Sequence, residues 1–272
     1  MIDTPRSTAK MRDGTELSYR LIAGEGEGRC VLVHSLAMDG DFWSRVAPLL
    51  RDHAQILTYD CRGHGLSGKP RHDYTIDLFA DDLADLLYAV GWESAVVCGA
   101  SMGGCVTIAF AAAYPKRVEG LGLFDTTEWY GEGAPKAWAE RADKATEGGM
   151  AALVDFQKTR WFSDAFRAAN PEIVDAGVEV FLANDVDAYS RTCRMLGAVD
   201  KRAALSGFAF PVEILVGSQD YATPVELAER LRSNIPGARM QVIDGARHFT
   251  PLEIPEVIAA TIVTLLGRVR AA

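Results

Sequence analysis

Gly99-Ala100-Ser101-Met102-Gly103 holds one hydroxyl among glycines, directly after the apolar run AVVC at residues 95–98 and directly before a helical pattern. A Gly-x-Ser-x-Gly sequence in that setting reads as a nucleophile elbow, a sharp strand-to-helix turn that exposes a serine oxygen. The glycines have a steric reason, because side chains there would collide with neighbouring strands. The helix start would also aim amide hydrogens and a positive dipole end at a developing oxyanion.

A serine hydroxyl attacks only when a base takes its proton and a third group holds that base. His248, in DGARHF at residues 244–249, follows the last apolar run and precedes the closing helical pattern, so it is the candidate base. Asp220, in a Gly-x-x-Asp loop that leads from an apolar run into a fresh helix, is the preferred acid. Asp125, at the end of LGLFD, is its rival, since the acid can also project from that neighbouring strand end. The order Ser, Asp, His is a workable one for such a triad. A second oxyanion donor is expected from the loop VHSLAMDGDFW at residues 33–43. The amide of Leu36, paired with that of Met102, is the candidate.

These residues need a scaffold that brings distant loops to one edge. Short apolar runs at residues 30–33, 54–59, 95–98, 118–124, 211–216 and 239–243 suit strands buried on both faces of a sheet. Residues 8–11 and 17–21 flank Asp13-Gly14, a hairpin turn signal. Residues 76–90 carry an apolar helical face, with Gly91 as its stop, and residues 257–266 read as a closing helix. The alternation predicts an α/β fold: a mostly parallel, doubly wound sheet with an N-terminal antiparallel hairpin. From about residue 126 to 205 the rhythm breaks into helical pieces such as AALVDF (151–156) and RWFSDAF (160–166). The expected organisation is therefore a core of residues 1–125 and 206–272, with a helical cap over residues 126–205.

Composition narrows the partners. The 272-residue chain has a formal charge of −9 and no long basic run, which argues against nucleic acid or an anionic membrane surface. MIDTPRSTAK lacks the apolar stretch of a signal peptide, and no run is long enough to span a bilayer. The five scattered cysteines read as buried, reduced thiols of a cytoplasmic protein. No Cys-x-x-Cys pair and no ligand-like histidine spacing exist, so neither a metal nor a cofactor is expected. The loop YDCRGHGLSG at residues 59–68 lacks the Gly-Lys-Ser/Thr of a phosphate cradle, and Arg62, His64 and His34 read as braces.

Taken together, the chain resembles the α/β-hydrolase superfamily over nearly its full length, and more narrowly the 3-oxoadipate enol-lactonase group. The likeness rests on His34-Ser35-Leu36, Trp43, Tyr59-Asp60-x-Arg62-Gly63-His64-Gly65-x-Ser67, the serine elbow, GGMAAL (148–153), RWFSDAFR (160–167), and His248 followed by Glu253 and Pro255. It departs at Leu36-Ala37, where the lactonase-like pattern favours Leu-Gly, and at Arg247, where a small residue is expected; both are expected to touch the pocket or its rim.

The resemblance implies a serine hydrolase that cleaves a small carboxylic ester or enol-lactone through an acyl-enzyme. Trp43, Trp129, Trp138 and Trp161 are candidate pocket walls. Arg160, Arg191 and Arg194 are candidate partners for a substrate carboxylate. The same triad also suits hydrolysis of a carbon–carbon bond or an amide, and a small-molecule receptor can keep the fold with little turnover.

Overall fold

Short apolar runs become strands wherever turns separate them. The structure is a computed structural model and describes residues 4–271. Its strands are β1 (Ser7–Lys10), β2 (Glu16–Ile22), β3 (Gly28–Val33), β4 (Ala54–Tyr59), β5 (Ala95–Ala100), β6 (Val118–Phe124), β7 (Val212–Gly217) and β8 (Arg239–Ile243). They form one sheet in the order β1-β2-β4-β3-β5-β6-β7-β8. Pairing is antiparallel for β1–β2 and β2–β4, and parallel from β4 onward. The hairpin turns at Asp13-Gly14, where Gly14 takes φ +88° and Asp13 Oδ1 accepts the Thr15 amide.

β5 and β7 are buried along their whole length, as strands covered on both faces must be. β8 differs from the expectation. It is the sheet's edge, and Arg239, Gln241 and Val242 are exposed. An edge strand has one neighbour and less cover, so an apolar run there need not be buried.

Helix α1 (Ile76–Ala89) starts at Thr75, whose hydroxyl accepts the Leu78 amide, and packs on α2 (Met102–Ala113). Every residue of α2 from Met102 to Ala111 is buried, which explains its lack of a polar face. Between β6 and β7 the described elements are helical: α3 (Ala134–Gly148), α4 (Val154–Trp161), α5 (Asp164–Ala169), α6 (Pro171–Leu182) and α7 (Val186–Gly197), with short 3-10 turns. α3 packs along α7. RWFSDAF is not one helix, because Phe162 is extended and the Ser163 hydroxyl caps a new helix by accepting the Phe166 amide. The chain enters and leaves this insertion at a β-bridge between Trp129 and Asp200. α8 (Val225–Asn234), α9 (Thr250–Glu253) and α10 (Pro255–Arg270) complete the fold, and α10 lies against β5, β6 and β7.

Because β3 to β8 run parallel, their carboxyl ends lie along a single edge. The loops after β3, β5, β6, β7 and β8 therefore meet there, the usual place for a ligand in an open α/β sheet.

Candidate active site

The turn after β5 holds Ser101 at φ 53°, ψ −117°. A side chain on Gly99 would press to 2.2 Å from the Gly103 carbonyl oxygen, and one on Gly103 to 2.1 Å from that of Val33. The steric reason for these glycines is thus partly the turn itself and partly the end of β3. Ser101 donates its amide to the Phe124 carbonyl at 2.9 Å, and its own carbonyl accepts the Thr126 hydroxyl at 2.6 Å. Those bonds hold a backbone that an ordinary residue avoids. Among the described residues, the non-glycine positions with positive φ are Ala37, Ser101 and Asp125, and all three sit on this edge.

Ser101 Oγ lies 2.9 Å from His248 Nε2, and His248 Nδ1 lies 2.7 Å from Asp220 Oδ2. All three side chains are nearly buried. Asp220 also accepts the Ala222 and Thr223 amides at 2.7 and 3.0 Å and the Thr223 hydroxyl at 2.8 Å. Burial pushes the Asp220 carboxyl up, but His248 and these hydrogen bonds outweigh it and hold it below the usual range. An ionised Asp220 can only accept, so Nδ1 carries the proton and Nε2 offers a lone pair to the serine hydroxyl. Gly217 makes room for this loop, since a Cβ there would meet the Ala246 and Arg247 carbonyl oxygens at 2.3 and 2.5 Å.

Asp125 does not reach the imidazole. Its carboxylate accepts the Gly217 amide at 3.2 Å and the Thr250 amide at 3.3 Å, and is hydrogen-bonded to the Thr250 hydroxyl. Burial and the nearby Asp220 carboxylate raise its pKa well above the usual carboxylate range. It braces the loops after β7 and β8.

The amides of Leu36 and Met102 have no protein acceptor among the described residues, and Leu36 lines the same cavity as Ser101 and His248. Both amides are therefore left available to a ligand. His34 stiffens the loop behind Leu36: its Nε2 accepts the Cys61 amide at 2.9 Å and its Nδ1 donates to the Ser35 carbonyl at 2.8 Å. Arg62 pairs with the buried Asp82 and with Asp13, so its place is likewise structural.

The helical insertion supplies the opposite wall: Trp138 and Arg141 from α3, Gln157, Arg160 and Trp161 from α4, and Tyr130 before them. Trp138, Arg160 and Trp161 are thus brought to the cavity. Trp43, Trp129, Arg191 and Arg194 are not among its lining residues. Trp43 is fully buried in the core between Phe42 and Phe124. Trp129 lies under the guanidiniums of Arg202 and Arg230. Arg191 pairs with Asp187 and Asp73, and Arg194 with Asp143 on the outer surface. Charged side chains with exposed partners stay in water, which is why helix membership alone misplaced them.

Arg247 also points away from the cavity, donating to the carbonyls of Thr159 and Phe162. Arg141, Gln157, Tyr130, Thr223 and Phe249 are lining residues that the sequence reading missed. Helical spacing offered a signal for two of them: Arg141 is one turn from Trp138, and Gln157 one turn from Trp161.

The cationic lining residues lack carboxylate partners among the described residues. Neither Arg141 nor Arg160 has a carboxylate within ion-pair distance among the described residues. Desolvation and the neighbouring Arg141 push the Arg160 pKa down to about 10. Gln157 is buried with both its amide nitrogen and its oxygen unbonded. No group of histidine, cysteine and carboxylate side chains suited to a metal occurs among the described residues. The five cysteines are free and buried, and no described helix is long and apolar enough to cross a membrane.

Known proteins share this architecture. A family described as alpha/beta hydrolase fold matches residues 30–255. 3-Oxoadipate enol-lactonase 1 of Acinetobacter baylyi is 30% identical over 254 residues, which cover 90% of this chain and 91% of the relative. The crystal structure of the enol-lactonase from Burkholderia xenovorans LB400 superposes with a TM-score of 0.91 at 32% identity, covering 96% of this chain and all of the other. A thermophilic esterase from Thermogutta terrifontis, solved with malate bound, matches with a TM-score of 0.90 at 26% identity, over 97% and 99% of the two chains. By sequence pattern, sheet order and near full-length similarity, the chain belongs to the α/β hydrolase fold family.

Proposed function

We propose that this protein hydrolyses a small carboxylic ester or lactone, of the enol-lactone kind, through an acyl-enzyme on Ser101. The observation that carries the reading is the continuous contact from Ser101 Oγ through His248 to Asp220, at 2.9 and 2.7 Å. Ser101 attacks the carbonyl carbon while His248 Nε2 takes its proton. Asp220 stabilises the imidazolium, and the Leu36 and Met102 amides hold the oxyanion. As the C–O bond breaks, His248 returns the proton to the leaving oxygen. In a lactone that oxygen stays tethered to the acyl group; an enol leaving group is a weak base and can ketonise. Water, activated by His248, then releases the acid and regenerates Ser101. The named activities of the enol-lactonase relatives support this class.

Residues 126–205 act in this reading as the cap that selects substrate. The unpaired Arg160 and Arg141, beside the unbonded Gln157 amide, favour a substrate with a carboxylate away from the scissile bond. A screen of the purified protein against enol-lactones, simple lactones, aryl esters and vinylogous diketones tests the assignment by kcat/KM. Reaction with diketones alone would overturn it. Ser101→Ala is expected to abolish turnover, and near wild-type activity in that variant would remove the serine mechanism.

A further inference from the structure

The space beside Ser101 amounts to about 20 Å³, room for a single water. No ester or lactone fits it. A second space of about 340 Å³ lies outside it, at the start of α3. That size suits a small organic ligand. The two are separated by four shared side chains: Tyr130, Trp138, Arg141 and Arg160.

This partition is held by one charge-assisted hydrogen bond and by contacts between rings and a guanidinium. The Arg141 guanidinium lies 4.9 Å from the Trp138 ring and 5.7 Å from the Tyr189 ring, and its Nε donates to the Tyr189 hydroxyl at 2.7 Å. Tyr130 meets Trp138 edge-on at 5.3 Å. Ion pairs do not tie the partition to the core among the described residues.

The opposite wall is stitched to the loop that carries His248. The Phe249 amide donates to the Trp161 carbonyl at 2.8 Å, and Trp161 stacks on Phe249 at 5.0 Å. Arg247 Nη1 donates to the Thr159 and Phe162 carbonyls at 2.7 and 3.0 Å. Glu253 accepts the Ser163 amide and hydroxyl with one oxygen and the Arg247 amide with the other. Several of these bonds are charge-assisted, and breaking them would disturb the residues flanking His248. A further apolar groove between Phe42 and α6 shares no lining residue with the space beside Ser101.

We propose that substrate reaches Ser101 from the α3 side, by displacing the Trp138–Arg141 partition and merging the two spaces, while the α4–α5 side stays a fixed wall. Trp138 and Arg141 then determine specificity twice: by the width they admit, and by the need to draw a guanidinium off its two aromatic rings. An anionic substrate does the latter through charge. This inference rests on the hydrolytic role of Ser101.

Ala137 and Gly133 line the outer space only, and both are exposed. Gly133 has φ −77° and nothing within 4 Å of an added Cβ, so a larger residue fits without backbone strain. Ala137→Trp and Gly133→Trp are compared with Ala176→Trp, which obstructs the unconnected groove. Hydrolysis of p-nitrophenyl acetate, butyrate and hexanoate is measured for each. The expected result is a loss in kcat/KM of at least about tenfold on hexanoate for the Ala137 and Gly133 variants, smaller on acetate, with Ala176→Trp within twofold. No loss, a loss uniform across chain lengths, or a larger loss in Ala176→Trp would overturn the route. Ser101→Ala, run alongside, separates failure of the route from failure of the serine mechanism: if it retains hydrolysis, the latter is wrong.

Discussion

Asn184 Nδ2 donates to the carbonyl of Ala37 at 2.9 Å, tying the end of α6 to the loop after β3. Ala37 holds φ +60° there, a left-handed conformation that a Cβ disfavours by about 1–2 kcal/mol. This explains why the lactonase-like pattern prefers glycine at the position. Replacing Ala37 by glycine removes that strain but adds unfolded-state entropy of about 0.5–1 kcal/mol. Ala37→Gly is therefore expected to be neutral or stabilising by up to about 1 kcal/mol in urea denaturation; a clear destabilisation would contradict it.

The two carboxyls on this edge separate by partner: Asp220 meets His248, and Asp125 meets Gly217 and Thr250. Asp220→Asn should lower kcat about 10³–10⁴-fold with the fold intact, because the amide favours the wrong imidazole tautomer. Burial and the nearby Asp220 raise the Asp125 pKa well above the usual range, and its carboxyl is bonded to Gly217 and Thr250 rather than to His248. Asn keeps an acceptor for the Gly217 amide and the site's Ser101–His248–Asp220 contacts do not involve position 125, so Asp125→Asn should keep kcat within about tenfold. Steady-state kinetics with circular dichroism decides, and equal losses in both variants would refute the distinction.

Arg160 should act on charge rather than on chemistry. Arg160→Gln is expected to lower kcat/KM for carboxylate-bearing esters about 10–100-fold, the value of a charge-assisted contact of about 1.5–3 kcal/mol, and to leave neutral esters nearly unchanged. Its pKa, pushed to about 10, keeps it cationic at neutral pH. An equal loss on both substrate types would remove the anion-binding role.

His64 should leave a mark on stability at acid pH. Desolvation, and then His34, push its pKa down to about 3, from an ordinary value near 6.5. The unfolded chain therefore binds a proton first. The contribution of neutral His64 is fully present above about pH 6.5 and is lost as pH falls toward 3. In His64→Gln that loss is absent, so the variant's deficit relative to wild type should shrink by about 1 kcal/mol or more between pH 7 and pH 4. Parallel stability curves would rule this out.

Much of this was legible because strand and helix periods are local. The hairpin at Asp13-Gly14, the apolar run from Val118 to Phe124 and the elbow around Ser101 each follow from a few neighbouring residues. The chain order of Ser101, Asp220 and His248 after β5, β7 and β8 also follows from the alternation of apolar runs. Tertiary structure decided what depends on distance through space. Asp125 and Asp220 both end or follow a strand, and only side-chain reach selects the one that meets His248. Arg160 and Arg191 are both helical arginines, and only the rotation of each helix sets one against the cavity and leaves the other paired in water. Arg247 is adjacent to His248 in sequence, yet its guanidinium binds the insertion through the Thr159 and Phe162 carbonyls. Sequence specified the elements and the reactive groups; helix rotation, packing and charge pairing decided which of those groups share one cavity.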